Sequence, residues 1–431
     1  MPLGLAIPLQ NTNFQILVVD LSGRVDCIVK QFFSQNYAYL TPRDATHPQQ
    51  VNHNQPLWCH TQVGLCLNTL IENCKSNASL PLCGHVESSA MTSALNKTTE
   101  IFPRHIMIET PTPLTRLNRL SEHFDIDLWI KRDDLAGPTL GGNKTRQLEY
   151  YFGAALAKGA DTILITGAVQ SNFVRIAAAI AAALGMDVVL QLEHRVNNDT
   201  ESYKNSGNVL LNKMFGARIV YYPEGEDENG ADNALYQEAE RLTKLGKRPY
   251  VIPLGENNAP LGALGYVNCA AEIVAQAGKC QFDEVVVGSG SGASHLGLIA
   301  GMKRHSPNTK IVGSCVRRKK TLQKERLVLM SKNFNDMVAE AIISDFDIQL
   351  WDGALAPGYG ILGDAATTAL KLLAKFEGQV VDPAYTAKVF ACIVERCSDM
   401  QIQKGSKILF VHSGGLAGLF AYQDDLVKIF S

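Results

Sequence analysis

The sequence lacks several features that would restrict its function class. Its 431 residues contain no apolar run of about 18 residues, which argues against a membrane-spanning helix. There is no long basic run and the formal net charge is -2, so nothing indicates binding to nucleic acid or to a membrane surface. The ten cysteines form no Cys-x-x-Cys pair, which leaves no pattern for a zinc site or a disulfide framework. We therefore expect free thiols, a cytoplasmic location and no bound metal.

Residues 1–103 differ in composition from the rest of the chain. They hold eleven charged residues but five of the ten cysteines, and a Gln/Asn/His-rich stretch spans 47–62. A strand is predicted at 15–19 and a short helix at 65–74, while the remainder has little periodicity. We expect an irregular N-terminal extension that is partly disordered or loosely packed, and the sequence assigns it no role.

Strand and helix patterns alternate strictly through the remaining residues. Strands are predicted at 128–131, 162–166, 188–192, 218–222, 249–252, 284–287, 311–315 and 408–411. Helices are predicted at 172–184, 202–214 and 232–245. This alternation is typical of an α/β fold, here with two open, twisted, mainly parallel sheets that carry helices on both faces. We assign 104–160 and 255–431 to a large cofactor-binding domain and 161–254 to a small α/β domain.

A single lysine follows two glycines at the start of a predicted helix. Gly141 and Gly142 allow positive φ and a close approach of the backbone to a ligand. Asn143 suits an N-cap, which puts Lys144 in the first helical turn. There the helix dipole disfavours an ammonium, so the lysine is easier to deprotonate and suits a Schiff base with a carbonyl cofactor. A solvent-facing lysine after a turn fits the same local pattern.

Two further loops follow predicted strands and precede helices. Ser171 and Asn172 lie at the edge where open α/β sheets bind ligands, although either residue could simply cap the next helix. The loop 288–297 is rich in glycine and serine, and its amides at a helix N-terminus would bind an anion. It lacks the Gly-Lys-Ser/Thr ending of a P-loop, so a phosphate monoester fits better than a nucleoside triphosphate. A glycine-rich turn without a ligand is the alternative.

The final strand leads into His412-Ser-Gly-Gly415. The Ser413 hydroxyl is suited either to a hydrogen bond with a neutral ring nitrogen or to capping the next element. His412 fits a core histidine at least as well as a functional one. Tyr359 and Tyr385 lie in loops near apolar helices, where most tyrosines are structural.

Together these motifs resemble the fold type II pyridoxal-phosphate enzymes, the family that includes D-cysteine desulfhydrase and 1-aminocyclopropane-1-carboxylate (ACC) deaminase. The resemblance runs from about Thr110 to Tyr422. It is carried, in chain order, by Gly141-Gly-Asn-Lys-Thr-Arg, Gln170-Ser-Asn, Pro260-Leu-Gly-Ala-Leu-Gly-Tyr, the loop 288–297, Ala356-Pro-Gly-Tyr-Gly, Asp382-Pro-Ala-Tyr-Thr and His412-Ser-Gly-Gly.

The resemblance implies pyridoxal 5'-phosphate as the cofactor and a role for each matching residue. Lys144 would form the Schiff base and act as general base, and Ser171, Tyr359 and Tyr385 would be catalytic. The implied cofactor contacts are Lys144, Asn143, Asn172, Ser289, Gly290, Ser291, Gly292, Ala293, Ser294 and Ser413.

The implied activity is a β-elimination that releases a 2-oxo acid and ammonia, with sulfide if the substrate is D-cysteine. We expect a homodimer that acts on a small amino acid. ACC deaminases resemble this chain but have a glutamate after the tyrosine of Asp-Pro-x-Tyr, where this chain has Thr386. Phe173 stands where desulfhydrases typically show histidine and deaminases glutamine, which leaves the exact substrate and its chirality open. A non-catalytic module that binds pyridoxal phosphate is the remaining alternative.

Overall fold

The computed structural model describes three short segments near the amino terminus, namely residues 3–8, 14–19 and 25–28, and all residues from 97 to 431. The chain divides into two compact units, Met1–Gly84 and His85–Ser431. No helix in the described part of the chain is both long and apolar enough to cross a membrane.

The first unit contains an antiparallel sheet. Its strands are β1 (Leu3–Pro8), β2 (Phe14–Val19) and β3 (Val25–Ile28) in the order β1-β2-β3. The predicted strand at 15–19 is confirmed as most of β2, and the predicted helix at 65–74 lies outside the described residues. The prediction missed β1 and β3, because the Leu-Gly-Leu-Ala-Ile-Pro run of β1 is apolar throughout and lacks the period-two alternation that identifies a strand.

The second unit is built on two sheets. The strands of the six-stranded sheet are β4 (Leu114–Arg116), β5 (Asp127–Lys131), β10 (Glu284–Ser289), β11 (Lys310–Cys315), β12 (Gln349–Trp351) and β13 (Lys407–Val411). Their spatial order is β12-β11-β10-β13-β5-β4 and all neighbours are parallel except β4 with β5. The strands of the four-stranded sheet are β6 (Thr162–Ala168), β7 (Asp187–Glu193), β8 (Arg218–Tyr222) and β9 (Pro249–Ile252). Their order is β8-β7-β6-β9 and every pair is parallel.

Fourteen helices belong to the described residues of this unit. They are α1 (Lys97–Glu100), α2 (Asn118–Phe124), α3 (Asn143–Ala157), α4 (Asn172–Ala183), α5 (Glu201–Asn205), α6 (Gly207–Met214), α7 (Glu228–Lys244), α8 (Leu264–Ala277), α9 (Ala293–His305), α10 (Lys320–Val338), α11 (Asp364–Glu377), α12 (Thr386–Ser398), α13 (Leu416–Leu419) and α14 (Gln423–Phe430). Single 3-10 turns occur at Asp133–Leu135, Leu261–Ala263, Asp345–Asp347, Gly353–Leu355 and Phe420–Tyr422.

Helices cover both faces of each sheet because successive strand residues point to opposite sides. In β10, Val285 and Val287 join the apolar core formed with α8 and α9, whereas Val286 joins the core formed with α11 and α12. In β6, Ile163 and Ile165 pack with α3 and α4, whereas Leu164 packs with α7. The predicted fold class is confirmed.

The remaining differences from the predicted elements have local causes. The predicted helix at 202–214 is two helices, α5 and α6, because Gly207 has φ of +58° and breaks the helical path. The edge strands β4 and β12 are three residues each, too short to show a periodicity. All strands of the four-stranded sheet fall within 161–254, but the division at that range into a large and a small domain stays a prediction.

Candidate active site

A cavity of about 860 Å³, its open mouth included, lies at the carboxyl ends of strands from both sheets. Its wall is formed by the amino terminus of α3 and by the loops that follow β6, β10, β11 and β13. Eleven of the predicted site residues line it, namely Asn143, Lys144, Ser171, Asn172, Gly290, Ser291, Gly292, Ser294, Tyr359, Tyr385 and Ser413. Parallel strands deliver these loops to one edge, which is where such folds bind ligands.

Lys144 is in the first turn of α3, as predicted, although the N-cap is Gly142 and not Asn143. Gly141 and Gly142 have φ of +54° and +130°, and a Cβ on Gly141 would lie 1.8 Å from the carbonyl oxygen of Asp134. Only glycine fits at this position, so the backbone path that presents the lysine depends on it.

The Lys144 amine has no carboxylate partner in the described part of the chain. Its nearest polar contact is Oε1 of Gln147, at 3.5 Å, and its Nζ lies 5.7 Å from the centroid of the Phe173 ring. Lys144 is partly buried and lines the cavity. Burial lowers the pKa of Lys144 to about 8. We expected the helix dipole to have this effect, but burial is the larger influence because a dipole contributes only a fraction of a unit near solvent.

The glycine loop after β10 forms a concave end of the cavity. Gly292 has φ of +105° and caps α9, and a Cβ there would lie 2.6 Å from a methyl carbon of Leu327. The Ser294 hydroxyl accepts hydrogen bonds from Nδ2 of Asn143 at 2.9 Å and from Nε2 of Gln147 at 2.8 Å. Free amides at a helix N-terminus attract an anion. This end of the cavity is therefore suited to a phosphate.

Two of the predicted cofactor contacts in this loop, Ser289 and Ala293, do not line the cavity. The Ser289 hydroxyl is fully buried and bonded to Nδ1 of His295 at 3.2 Å and to Nε2 of Gln323 at 3.0 Å. Ala293 is the first residue of α9 and is also absent from the wall. Their predicted role as cofactor contacts has no support from these positions, because the Ser289 side chain faces the interior.

Ser171 and Asn172 both line the cavity, and only Ser171 also caps the next helix. Ser171 caps α4 by accepting a hydrogen bond from the Phe173 amide at 3.2 Å, and it also lines the cavity. Oδ1 of Asn172 accepts a hydrogen bond from Nδ2 of Asn208 at 3.0 Å. Both side chains are therefore held in place by α4 and α6 before any ligand binds.

Tyr359 and Tyr385 meet at the cavity. Their hydroxyls are hydrogen-bonded to each other and their ring centroids are 5.8 Å apart. Burial holds the pKa of Tyr385 well above its usual value, so this phenol stays protonated at neutral pH. The pair can donate one proton toward the cavity.

The two residues that follow β13, His412 and Ser413, have different surroundings. Ser413 lines the cavity, and its carbonyl oxygen accepts a hydrogen bond from the Asn143 amide at 3.0 Å. His412 is 2 % exposed, bonds through Nε2 to the Val380 carbonyl at 2.9 Å, and accepts from the Gly414 amide through Nδ1 at 3.2 Å. His412 is thus the satisfied core histidine that the sequence allowed.

Sequence reasoning missed three charged residues of the wall, Arg195, Arg317 and Asp382. Each arginine lies two residues beyond the end of a strand, Arg195 after β7 and Arg317 after β11. The rule that led to Ser171 could have found them, since carboxyl ends of parallel strands share one edge. Asp382 belongs to the motif Asp382-Pro-Ala-Tyr-Thr, although no role in the site is predicted for it from the sequence. Its carboxylate accepts hydrogen bonds from three backbone amides, those of Ala384, Tyr385 and Thr386.

The wall suits a small phosphorylated carbonyl compound. A partly buried amine without a carboxylate partner is available for a Schiff base, and the glycine loop offers amides to an anion. Ser413 of the same wall provides a neutral hydroxyl.

Known proteins resemble this chain over the same region. Residues 106–414 match the family described as pyridoxal-phosphate dependent enzyme. A D-cysteine desulfhydrase of Yersinia enterocolitica is 40% identical over 322 residues, which are 74% of this chain and 96% of that protein. A crystal structure of an ACC deaminase homologue superposes with a TM-score of 0.68 and 33% identity, covering 79% of this chain and 98% of that one.

A more distant solved structure shares the fold alone. The processed form of threonine deaminase isoform 2 from Solanum lycopersicum has a TM-score of 0.55 at 17% identity, covering 80% of this chain and 89% of that one. The resemblance read from the motifs is confirmed. The chain belongs to the pyridoxal-phosphate dependent enzymes, in the family that includes D-cysteine desulfhydrase and ACC deaminase.

Proposed function

We propose that this protein is a β-eliminating lyase of the desulfhydrase type, which releases a 2-oxo acid and ammonia from a β-substituted amino acid such as D-cysteine. The observation that carries the proposal is the Lys144 amine, which lies in the cavity without a carboxylate partner among the described residues and has its pKa lowered to about 8. A general base performs best when its pKa is near the working pH.

Several residues would hold the cofactor. Lys144 would bind its carbonyl carbon, the amides of Gly290, Ser291, Gly292 and Ser294 its phosphate, and the Ser413 hydroxyl its ring nitrogen, with Asn143 and Asn172 beside the ring. When bound, pyridoxal phosphate supplies an electron sink for the charge left when the Cα proton is removed.

The chain itself would bind and orient the substrate and move its protons. Lys144 would take the proton from Cα, and its lowered pKa keeps part of the amine neutral at pH 7 to 8. Ser171, fixed as a helix cap, would bind the substrate carboxylate. The phenol pair of Tyr359 and Tyr385 would donate a proton to the departing group, since burial keeps Tyr385 protonated.

The alternative reaction, ring opening of ACC, has less support. Thr386 does not line the cavity, and its hydroxyl donates to the Asp382 carboxylate. Asp382 in turn accepts backbone amides, so Ser413 is the side chain left for the ring nitrogen. A hydroxyl does not hold a pyridine nitrogen protonated as a carboxylate does.

The finer features of organisation belong to the same proposal. We infer a homodimer in the cytoplasm, with a large domain of 104–160 and 255–431 and a small domain of 161–254. The described cysteines, Cys269, Cys280, Cys315, Cys392 and Cys397, are all free, which fits a reducing compartment.

The assay that tests the proposal measures 2-oxo acid release from the D and L forms of cysteine and of 3-chloroalanine on one preparation. We expect turnover of at least one of these compounds together with an absorption band from the bound cofactor. A protein that shows the band but releases no 2-oxo acid would be the non-catalytic module, and the proposal would be wrong.

The pH dependence of cofactor capture provides a separate test. Only a neutral amine attacks a carbonyl, so the rate at which the cofactor-free protein develops the absorption band should rise about tenfold per pH unit below pH 8 and level off above it. Stopped-flow absorbance at fixed cofactor concentration measures it. If the rate keeps rising toward pH 10, Lys144 has an ordinary pKa.

We also predict that a chain beginning at His85 folds and retains the site. All site residues lie beyond this point, and the unit His85–Ser431 has its own apolar cores. Cofactor absorbance per protein and kcat/KM should stay within about twofold of the full chain, roughly 0.4 kcal/mol in the barrier, because every described residue of the cavity wall belongs to this unit. An insoluble product, or one that does not bind cofactor, would show that residues 1–84 contribute to the fold.

A further inference from the structure

Two arginines of the cavity wall have no part in the proposed reaction. Apart from Lys144, Arg195 and Arg317 are the cations among the described lining residues. Their side chains are only 5% and 3% exposed. The cofactor phosphate has the glycine loop, and the substrate carboxylate has Ser171. The proposed reaction therefore leaves both guanidinium groups without an assigned ligand.

Each arginine is anchored by a glutamate, Arg195 by Glu193 of β7 and Arg317 by Glu228 at the start of α7. Arg195 donates through Nε to Oε2 of Glu193 at 2.8 Å. Arg317 donates to the Glu228 carboxylate and, through Nη2, to the Gly225 carbonyl and to Oε2 of Glu226, each at 3.1 Å. These bonds fix each guanidinium without using all of its five donors.

Each guanidinium keeps a buried nitrogen that forms no hydrogen bond of good geometry. Within the described part of the chain, Nε of Arg317 donates no hydrogen bond, and neither does Nη2 of Arg195. The latter atom approaches Oε2 of Glu193 at 2.6 Å, but without hydrogen-bond geometry. A buried N–H without an acceptor destabilises the protein, so an oxygen on a ligand would be favourable here.

Arg317 lies beside the phenol pair of Tyr359 and Tyr385. The guanidinium carbon of Arg317 lies 6.0 Å from the centroid of the Tyr359 ring, next to the phenol pair proposed to meet the departing group. Phe173, in the same wall, has no polar group to offer. Polar recognition of the group on Cβ therefore falls to the arginines.

Resting on the proposed function, we propose that Arg195 and Arg317 form a second anion site that selects substrates with an acidic group on Cβ, specifically a sulfonate such as that of cysteate. The flat fork of a guanidinium matches the paired oxygens of such an oxyanion.

The reaction balances with water as the co-reactant. Lys144 takes the Cα proton, the Cβ–S bond breaks, and sulfur leaves with the bonding pair as sulfite. The unsaturated amino acid that is released adds water and yields pyruvate and ammonium. No oxidant or reductant is needed.

The structure identifies which arginine can be removed without leaving a buried charge unpaired. In Arg317→Met, Glu228 keeps Arg318 and Arg326, each at 2.6 Å. In a methionine variant of Arg195, Glu193 would lose its cation, so Arg195→Lys is the suitable second variant. Arg218→Met is the matched control, because Arg218 is exposed, distant from the wall, and leaves Glu238 paired with Arg241 at 2.8 Å.

The first measurement compares kcat/KM for cysteate and cysteine of the same configuration. We expect the unmodified protein to prefer cysteate by at least about tenfold. Arg317→Met should lower the value for cysteate about 30-fold and the value for cysteine less than about threefold, the size expected for charge-assisted hydrogen bonds to one group. For Arg195→Lys, the loss in kcat/KM for cysteate should lie between about threefold and 30-fold. Arg218→Met should have the same kcat/KM values as the unmodified protein.

The second measurement does not depend on turnover. Calorimetric titration of the cofactor-loaded protein with 3-sulfopropanoate and with butanoate compares a diacid and a monoacid that lack the reacting amine. The sulfonate should bind at least about tenfold more tightly, and Arg317→Met should remove this difference.

The outcomes that overturn the inference are distinct from failure of the proposed function. A preference of the unmodified protein for cysteine, or an equal loss for both substrates in Arg317→Met, would show that the arginines do not read the Cβ group, with the lyase assignment intact. An equal loss for both substrates would place the arginines at the substrate carboxylate. Release of no 2-oxo acid from any of the amino acids would overturn the proposed function itself.

Discussion

Replacing Lys144 by alanine is expected to remove the visible absorption band of the bound cofactor and to lower kcat/KM at least about 1,000-fold, which is roughly 4 kcal/mol of transition-state stabilisation. Lys144 would both bind the cofactor and take the Cα proton. No other lysine lines the cavity in the described part of the chain, and the two arginines of the wall cannot act as bases near neutral pH.

The same substitution should leave the fold intact. Lys144 forms no salt bridge with the described residues, so its removal leaves no carboxylate unpaired. Its folded-state pKa of about 8 is below the ordinary 10.5, which means that the unfolded chain binds the proton more tightly. Below pH 8 this burial costs on the order of 2–3 kcal/mol of stability, a penalty that disappears as the pH rises toward 10.5. Without cofactor, the variant should therefore have a Tm at pH 7 equal to or above that of the cofactor-free unmodified protein.

Lys158→Ala is the matched control. Lys158 ends the same helix on the surface, where its Nζ lies 5.3 Å from the centroid of the Tyr250 ring. This variant should keep the absorption band and turnover. Full activity of Lys144→Ala, measured beside it, would exclude Lys144 as the catalytic base and as the cofactor-binding amine.

Long elements could be predicted from the sequence because they carry enough periodicity. The helix Asn172–Ala183 and three strands of the four-stranded sheet extend over five residues or more, and β9 extends over four. β4 and β12 have three residues each, and their strand geometry comes from pairing with β5 and β11. Tertiary pairing of this kind leaves no local pattern to read.

The site was predictable where a motif requires a particular backbone. Gly141 and Gly142 adopt positive φ, and that requirement is visible in the sequence as a Gly-Gly pair. Ser289 lies in an equally recognisable loop, but the direction of its side chain depends on His295 and Gln323, one of which is 34 residues away. The sequence identifies the loop, but it does not show which of the serine hydroxyls face the cavity and which face the protein interior.

The two arginines of the cavity wall could not be predicted from the sequence in the same way. Arg195 and Arg317 are 122 residues apart, and they share one cavity because β7 and β11 end at the same edge of facing sheets. Their anchors, Glu193 and Glu228, come from the four-stranded sheet and from α7. A single arginine after a strand is common in soluble proteins and indicates no site by itself. Only the folded structure shows that Arg195 and Arg317 line the same cavity.

The reaction that the protein favours follows from the same wall. We expect ACC to turn over at least about 100-fold more slowly than D-cysteine or 3-chloro-D-alanine, a gap of roughly 2.7 kcal/mol in the barrier. ACC has no good leaving group on Cβ, so opening its ring requires a strongly electron-withdrawing, protonated pyridine. The side chains near the proposed ring position are those of Ser413 and of Asp382, and the Asp382 carboxylate is occupied by the amides that begin α12.

Steady-state assays with both classes of substrate on one preparation decide this prediction, and Thr386→Val tests its structural basis. Thr386 is fully buried, and its hydroxyl bonds to Asp382 and, at 3.3 Å, to the Gly414 carbonyl. Valine keeps the shape and loses these bonds, so stability should fall by about 1–2 kcal/mol while the ratio of the two kcat/KM values stays unchanged. A preference for ACC, or comparable values for both substrates, would show that the protein protonates the pyridine without a carboxylate from position 386. A ratio that shifts in Thr386→Val would show that this hydroxyl acts on the cofactor after all, either directly or through Asp382.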